Sequence, residues 1–225
     1  MDMFYETLSL TLHLAFTATC ILLMIGIPMA YWLSRTQSAW KPFFEAVISL
    51  PLVLPPTVLG FYLLLALSPN SALGNFLATR FGIQLIFSFE GLIVGSVIYS
   101  LPFMVQPIQS GFENLPKNLA EAAYVLGKSR WVTLFRVLLP NIKPSIITAI
   151  VLTFAHTIGE FGVILMIGGN IPGETRVASI AIYDEVEAMN YDTANQYALV
   201  LVIFSFLILF MVYALNKKYF HIKGR

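Results

Sequence analysis

Two ionisable side chains, His156 and Glu160, lie in an apolar stretch long enough to cross a membrane, where together they could relay a proton. Residues four apart share a helix face, so the imidazole and the carboxyl would be neighbours. Thr153 and Thr157 extend this polar stripe. A carboxylate at the bilayer centre costs about 3 kcal/mol or more unless it is paired, protonated or solvated. The stripe therefore either lines a path or gate through the membrane or forms an interhelical hydrogen bond that fixes packing.

The elements that must position this stripe are membrane-spanning helices, because 58% of the residues are hydrophobic, 11% are charged and the mean hydropathy is +0.79. Apolar runs that could cross a hydrocarbon core of about 30 Å fall at residues 8–33, 44–67, 87–110, 142–168 and 195–215. The sequence predicts an all-α integral membrane protein with five spanning helices in one domain, residues 1–225. We expect a multi-pass protein of the cell membrane, which in a Gram-negative bacterium is the inner membrane.

The basic residues predict the orientation of the chain, since Lys and Arg concentrate on the cytoplasmic side. All but two of the 13 Lys and Arg residues fall on one side of the five-span arrangement, and the exceptions are Arg80 and Arg176. The N-terminus is predicted to face out and the C-terminus to be cytoplasmic. The basic residues of that C-terminal end are Lys217, Lys218, Lys223 and Arg225.

The second apolar run contains three prolines, Pro51, Pro55 and Pro56, followed by Thr57. A proline inside a helix removes a backbone hydrogen bond and clashes with the preceding turn, so this span should kink or break. Broken membrane helices often line transport pathways. Proline is also common in membrane helices in general, so a purely structural kink is the alternative interpretation.

A polar segment, residues 112–141, separates the third and fourth runs. Asn118 followed by Glu121 is close to a capping box, so a short helix should begin near Leu119. It would continue through strong helix formers, including Ala122 and Ala123, and stop at Gly127 with a left-handed cap.

A second short helix is predicted to follow, with a mixed apolar and basic surface. Its apolar side would carry Trp131, Leu134, Phe135 and Leu138, while Lys128, Arg130 and Arg136 would stay in water, and Pro140 and Pro144 would end it. A charged helical segment held at a fixed distance from two spans is suited to docking a soluble partner. An amphipathic connector in the membrane interface is the alternative, because basic residues and a Trp would also suit that position.

Several other kinds of chemistry are not predicted. The sequence has no Gly-x-x-x-x-Gly-Lys-Ser/Thr phosphate loop, and its single cysteine, Cys20, offers neither a disulfide framework nor a metal cluster. A net charge of +1 gives no reason to expect a nucleic-acid partner. We therefore expect no enzymatic activity, no metal and no cofactor in this chain.

The polar segment resembles the EAA loop of the permeases of ATP-binding-cassette (ABC) importers. The resemblance rests on Glu121, Ala122, Ala123, then Gly127, and then Val137, Leu139 and Pro140 at the family spacing, with Val137 where the family has Ile. The proline-rich stretch at residues 50–60 resembles the equivalent span of the molybdate and sulfate permeases. Residues 159–162 and 171–176 resemble the molybdate permeases more closely than the sulfate group.

This resemblance implies a type I ABC importer permease with the MetI-like fold, forming a homodimer with the pathway between protomers. A separate ATPase, which would bind ATP and Mg²⁺, would dock on each loop. An external molybdate-binding protein would contact the outer segment near residues 169–193, which includes most of the flexible outer turn at residues 168–176. The loop residues implied for coupling are Glu121, Ala122, Ala123, Gly127, Arg130, Trp131 and Pro140. The candidates for the path or gate are Pro51, Pro55, Pro56, Thr57, Thr153, His156 and Glu160. The candidates for contact with the binding protein are Asn170, Glu174 and Arg176.

ATP-driven import of molybdate, with tungstate as a further cargo, is the predicted function. The alternatives are a sulfate or thiosulfate permease, a proton-coupled anion transporter using His156 and Glu160, and a membrane scaffold without transport. A fixed carboxylate would repel an anionic cargo in a narrow pore, which slightly favours the packing role for Glu160. Related permeases often place a basic residue where this chain has Gln106, so no anion contact is predicted there.

Overall fold

The computed structural model describes residues 2–222, and within that range every regular element is a helix. The helices are α1 (Asp2–Arg35), α2 (Lys41–Val53), α3 (Pro56–Leu67), α4 (Ala72–Phe81), α5 (Phe89–Glu113), α6 (Asn118–Val125), α7 (Arg130–Thr133), a π-helical turn (Leu134–Leu138), α8 (Leu139–Asn141), α9 (Lys143–Ile158), α10 (Gly162–Gly168), α11 (Ala178–Glu187) and α12 (Tyr191–Ile222). Lys223 and Arg225, used above to predict orientation, lie outside the described residues.

Three helices are long and apolar enough to cross a membrane: α1, α5 and the part of α12 at Tyr191–Met211. Two further spans are bent pairs, α2 with α3 at 111° and the segment Arg130–Asn141 with α9 at 76°. The described residues therefore hold three continuous spans, or up to five if each bent pair counts as one. The predicted run at 142–168 is not one helix, because α9 ends at Ile158 and α10 begins at Gly162.

The core is formed where α1, α5 and α9 pack along one another. Its inner part joins α1 and α5 to the polar segment and includes Leu33, Met104, Ile108 and Leu138, all fully buried. A second cluster joins α1 and α5 to α10 and α11. Helix α12 exposes most of its large apolar side chains, which suits a helix that faces lipid.

Two helix breaks lie against each other: the break between α2 and α3, and the break between α9 and α10. Pro55 and Pro56 stop α2 and start α3, as the prolines predict, and Pro56 takes the first helical position, where its missing N–H costs nothing. At the other break, a Cβ on Gly162 would lie 2.8 Å from the Pro56 Cβ. Only a residue without a side chain allows α10 to approach α3 this closely.

Candidate functional site

Residues 118–141 of the polar segment, which follow the end of α5, are called the coupling segment from here on. The backbone of this segment turns sharply at Gly127. Gly127 has φ +71°, the left-handed conformation, and the Lys128 N–H donates to the Ala123 carbonyl at 3.0 Å. This closes α6 as the sequence predicted. No side-chain hydrogen bond caps its start, so the expected capping box at Asn118 and Glu121 is absent, and the helix begins at Asn118 rather than Leu119.

Buried residues anchor the coupling segment to the membrane core. Ala120, Ala123, Leu134 and Leu138 are buried, and three of them, Ala120, Leu134 and Leu138, pack in the inner cluster with α1 and α5. The Ser129 hydroxyl caps α7 by accepting from the Val132 N–H at 3.3 Å. The segment is therefore fixed rigidly to the spans, so a force applied to it would reach them.

The opposite surface of the coupling segment exposes apolar side chains to the surroundings. Val125 is 88% exposed and Leu126 is 75% exposed, and Trp131 and Phe135 stack with their ring centroids 6.2 Å apart in an exposed position. Together with the exposed Glu121, these residues form what we call the docking surface. Sequence reasoning missed Val125 and Leu126, although two apolar residues directly before the Gly127 turn were a usable indication.

A cavity of about 460 Å³ lies where the two helix breaks meet. Pro56 and Thr57 line it from α3, Tyr99 from α5, and His156 and Glu160 from the end of α9 and the break that follows. The structure thus brings four of the predicted path residues together. Pro51, Pro55 and Thr153 do not line this cavity; Pro51 and Thr153 are buried and Pro55 is exposed.

A chain of hydrogen bonds fixes His156 against α5. The Thr157 hydroxyl donates to the Thr153 carbonyl at 2.9 Å, and the Ser100 hydroxyl lies 3.1 Å from Thr157 Oγ1 and 2.9 Å from His156 Nδ1. Because the Thr157 hydroxyl donates its only proton to the Thr153 carbonyl, the Ser100 hydroxyl donates to Thr157 Oγ1 and accepts from His156 Nδ1–H. The imidazole also stacks on Phe103 with centroids 4.0 Å apart. These contacts hold the imidazole ring between α9 and α5, where it contributes to the packing of the two helices.

Glu160 is not the helical neighbour of His156 that the sequence predicted. It lies in the break after α9, with 3% of its surface exposed, and no hydrogen bond joins it to His156. Neither carboxyl oxygen forms a hydrogen bond of standard geometry among the described residues, although the Ser96 hydroxyl is close enough to interact with the carboxyl group. The reason is that α9 ends at Ile158, so the four-residue spacing no longer places the two side chains on one face.

The predicted outer turn is ordered by its own hydrogen bonds. The Ile171 carbonyl accepts from the Thr175 N–H at 2.9 Å and the Arg176 N–H at 3.0 Å, and Thr175 Oγ1 donates to the Gly168 carbonyl at 2.7 Å. Gly173 has φ +79°, a left-handed conformation that glycine adopts without strain. Asn170 and Glu174 are exposed here.

Arg176 differs from the other two predicted contact residues because it is buried. Its Nη2 forms ion pairs with Asp184 at 2.9 Å and Glu185 at 3.1 Å, and Asn190 Nδ2 donates to the other oxygen of Glu185 at 2.8 Å. These bonds tie the outer turn to α11. Sequence reasoning placed Arg176 on an exposed surface because the pairing depends on how the turn folds back on α11.

A polar cluster at one end of α5 includes Gln106 and Glu113, which contact side chains of α2. Gln106 Nε2 donates to Ser49 Oγ at 2.9 Å, and Lys41 Nζ lies 3.0 Å from Glu113 and 3.6 Å from Glu45. The cluster ties α2 to α5. Gln106 is therefore used in contact between helices.

Residues 22–221 match the family of binding-protein-dependent transport system inner membrane components. The chain belongs to this family. Membership of the binding-protein-dependent transport family confirms a membrane-embedded permease and accounts for its multiple apolar helices.

Curated relatives within this family include molybdenum permeases. The chain is 51% identical over 209 residues to the molybdenum transport system permease protein ModB of Azotobacter vinelandii, covering 92% of each chain. It is 36% identical to ModB of Escherichia coli (strain K12), covering 81% of this chain and 80% of the relative. It is also 32% identical to the sulfate transport system permease protein CysT of Escherichia coli (strain K12), covering 93% of this chain and 75% of the relative.

Solved structures of ABC importers share the fold of this family member. A bacterial ABC transporter involved in the import of the acidic polysaccharide alginate has a TM-score of 0.79 at 18% identity, covering 97% of this chain and 80% of that one. The inward-facing MetNI methionine ABC transporter has a TM-score of 0.72 at 18% identity, covering 95% of this chain and 94% of that one. At this identity the likeness shows the fold alone, and it confirms the MetI-like ABC permease fold.

Proposed function

We propose that this chain is the membrane-spanning permease subunit of an ATP-driven importer of molybdate. The observation that carries this proposal is the 51% identity to a molybdenum permease over 92% of both chains. The weaker match to a sulfate permease, at 32%, keeps sulfate as the alternative cargo. Tungstate is a tetrahedral dianion like molybdate, and the same hydrogen-bond donors can bind either ion. We therefore propose tungstate as a second cargo.

The docking surface supports coupling to a separate ATPase subunit. Apolar side chains exposed at the end of a polar segment gain free energy when a partner covers them. The buried Ala120 and Leu138 fix the segment to α1 and α5, so movement of a docked partner would be transmitted to the spans. Among the residues that the sequence assigned to coupling, Ala123 is an internal anchor, whereas Glu121, Arg130 and Trp131 remain accessible.

The cavity at the two helix breaks is our candidate for part of the translocation path or its gate. It combines polar groups from Thr57, Tyr99, His156 and Glu160 with broken backbone, a combination that membrane transporters use at substrate paths. We propose that two protomers form a homodimer with the path between them. A change in the angle between α3 and α10 would open or close this cavity, because Gly162 holds them in contact.

An external binding protein is proposed to deliver the anion at the outer turn. Asn170 and Glu174 are exposed there and are available for contact. Arg176 contributes indirectly, since its ion pairs hold the turn against α11. This assignment places the turn and the N-terminus on the outside and the coupling segment in the cytoplasm.

Uptake by proteoliposomes tests the proposal. The chain is reconstituted with the ATPase and binding protein encoded beside it, and labelled molybdate uptake is measured with ATP inside and with sulfate or tungstate as competitor. We expect uptake that needs all three components, resists excess sulfate and is reduced by tungstate. Uptake driven by a proton gradient without ATP would contradict the proposal and favour the relay at His156 and Glu160, which the observed hydrogen bonds do not support.

A further inference from the structure

A groove of about 1070 Å³ runs between α1 and the coupling segment. Trp131 and Phe135 of the docking surface help to line it, but its α1 wall has no part in the proposed function. Its α1 wall repeats at helical spacing from Leu23 to Arg35, so a single face of the helix lines it. The facing wall comes from α6, α7 and the π-helical turn, including Tyr124 and Phe135. Most of the lining is apolar.

The groove has the length of one membrane leaflet. From Leu23 to Arg35 the helix rises about 18 Å, at about 1.5 Å per residue. Half of a hydrocarbon core of about 30 Å is roughly 15 Å. Met24, near the apolar end, is 77% exposed and lies about 17 Å along α1 from Arg35.

The other end of the groove is positively charged. Arg35 and Arg130 both line it, the lining includes no acidic residue, and none of the ion pairs among the described residues involves either arginine. The Arg35 guanidinium lies 5.9 Å from the centre of the Tyr31 ring, which holds it at the groove. Trp32 and Trp131 lie at the same end, as tryptophans do at membrane interfaces.

We propose that this groove binds one anionic phospholipid from the leaflet that contacts the coupling segment. An acyl chain would lie along the apolar face of α1, and the phosphate would lie between Arg35 and Arg130. Basic pockets between membrane helices recognise anionic headgroups in this way. The lipid would hold the end of α1 against the coupling segment, so it would also stabilise the element that docks the partner.

Quenching of tryptophan fluorescence by brominated lipids tests the site directly. The chain has three tryptophans, and only Trp40 lies outside the groove, so Trp40→Phe leaves Trp32 and Trp131 as reporters. The full chain in nanodiscs is titrated with phosphatidylglycerol or phosphatidylcholine brominated on the acyl chains. We expect stronger quenching by phosphatidylglycerol, with a preference that falls about fivefold in Arg35→Gln and again in Arg35→Gln/Arg130→Gln.

Arg136→Gln is the matched control, because Arg136 is exposed on the same segment but does not line the groove. It should keep the full lipid preference, and thermal unfolding in the nanodisc identifies any variant that misfolds. Equal quenching by the two lipids, or a preference that survives in the double variant, would overturn the proposal. Quenching by neither lipid would also overturn it, since a second copy of the chain would then cover the groove.

Discussion

Single residues act through backbone conformation at Gly127 and through charge at Arg176. The sequence predicted Gly127 correctly because a helix stop depends on local conformation. It did not predict the role of Arg176, because the partners Asp184 and Glu185 lie on the next helix and meet it only when the turn folds. Residue roles that depend on local geometry could thus be predicted from the sequence, and those that depend on tertiary contacts could not.

Gly127→Ala should uncouple transport from ATP hydrolysis. A Cβ at this position meets nothing within 4 Å, so the cost comes from the left-handed backbone, about 1 kcal/mol for alanine. We expect the coupling segment to shift and molybdate transported per ATP hydrolysed to fall, with little change in thermal unfolding. Gly127→Asn, which tolerates this conformation, should retain most coupling. Equal coupling in wild type and Gly127→Ala would count against the role of the turn.

Arg176→Gln should destabilise the outer part of the protein. The change removes two ion pairs from a buried guanidinium, and we expect unfolding free energy to fall by about 2 kcal/mol. Thermal unfolding of the purified chain measures this. Glu174→Gln is the control, because Glu174 is exposed on the same turn. If the two variants unfold at the same temperature, the ion pairs contribute no net stability.

Among the elements, the two broken helices depend on each other. The prolines of the second span predicted its break, since the adjacent Pro55 and Pro56 both lack the backbone N–H that a continuous helix needs there. Single prolines within α1 and α5 do not break those helices. The break at residues 159–161 was not predicted, because Gly159 and Gly162 are also compatible with a continuous packed helix. What decides it is the approach of α10 to Pro56, a contact between residues more than a hundred positions apart.

Gly162→Ala should separate α10 from α3 and block transport. The new Cβ would lie 2.8 Å from Pro56 Cβ and 3.4 Å from the Pro56 backbone, so the helices must move apart at a cost of about 1–3 kcal/mol. Gly159→Ala is a matched control in the same break, where the nearest atoms are 3.8 Å away. Uptake and thermal unfolding should fall in the first variant only. A Gly162→Ala protein that transports normally would show that the close approach is not needed for gating.

In the whole molecule, the docking surface, the core and the cavity at the breaks form one connected structure. The coupling segment packs on α1 and α5, and α5 in turn carries Tyr99 and Ser100 beside His156. The sequence predicted the fold class and the position of the coupling segment from composition, spacing and family resemblance. It could not show which face of the segment is exposed, because that depends on how the segment packs against α1.

The most direct test of this account is ATP-driven molybdate uptake by proteoliposomes that contain the Leu126→Glu chain together with the ATPase and the binding protein. Leu126 is 75% exposed on the docking surface, so a charge there should prevent the ATPase from docking without disturbing the core. We predict loss of ATP-driven molybdate uptake in Leu126→Glu, with normal uptake in the Arg136→Gln control. Full uptake by Leu126→Glu would contradict the claim that this surface couples ATP hydrolysis to molybdate transport.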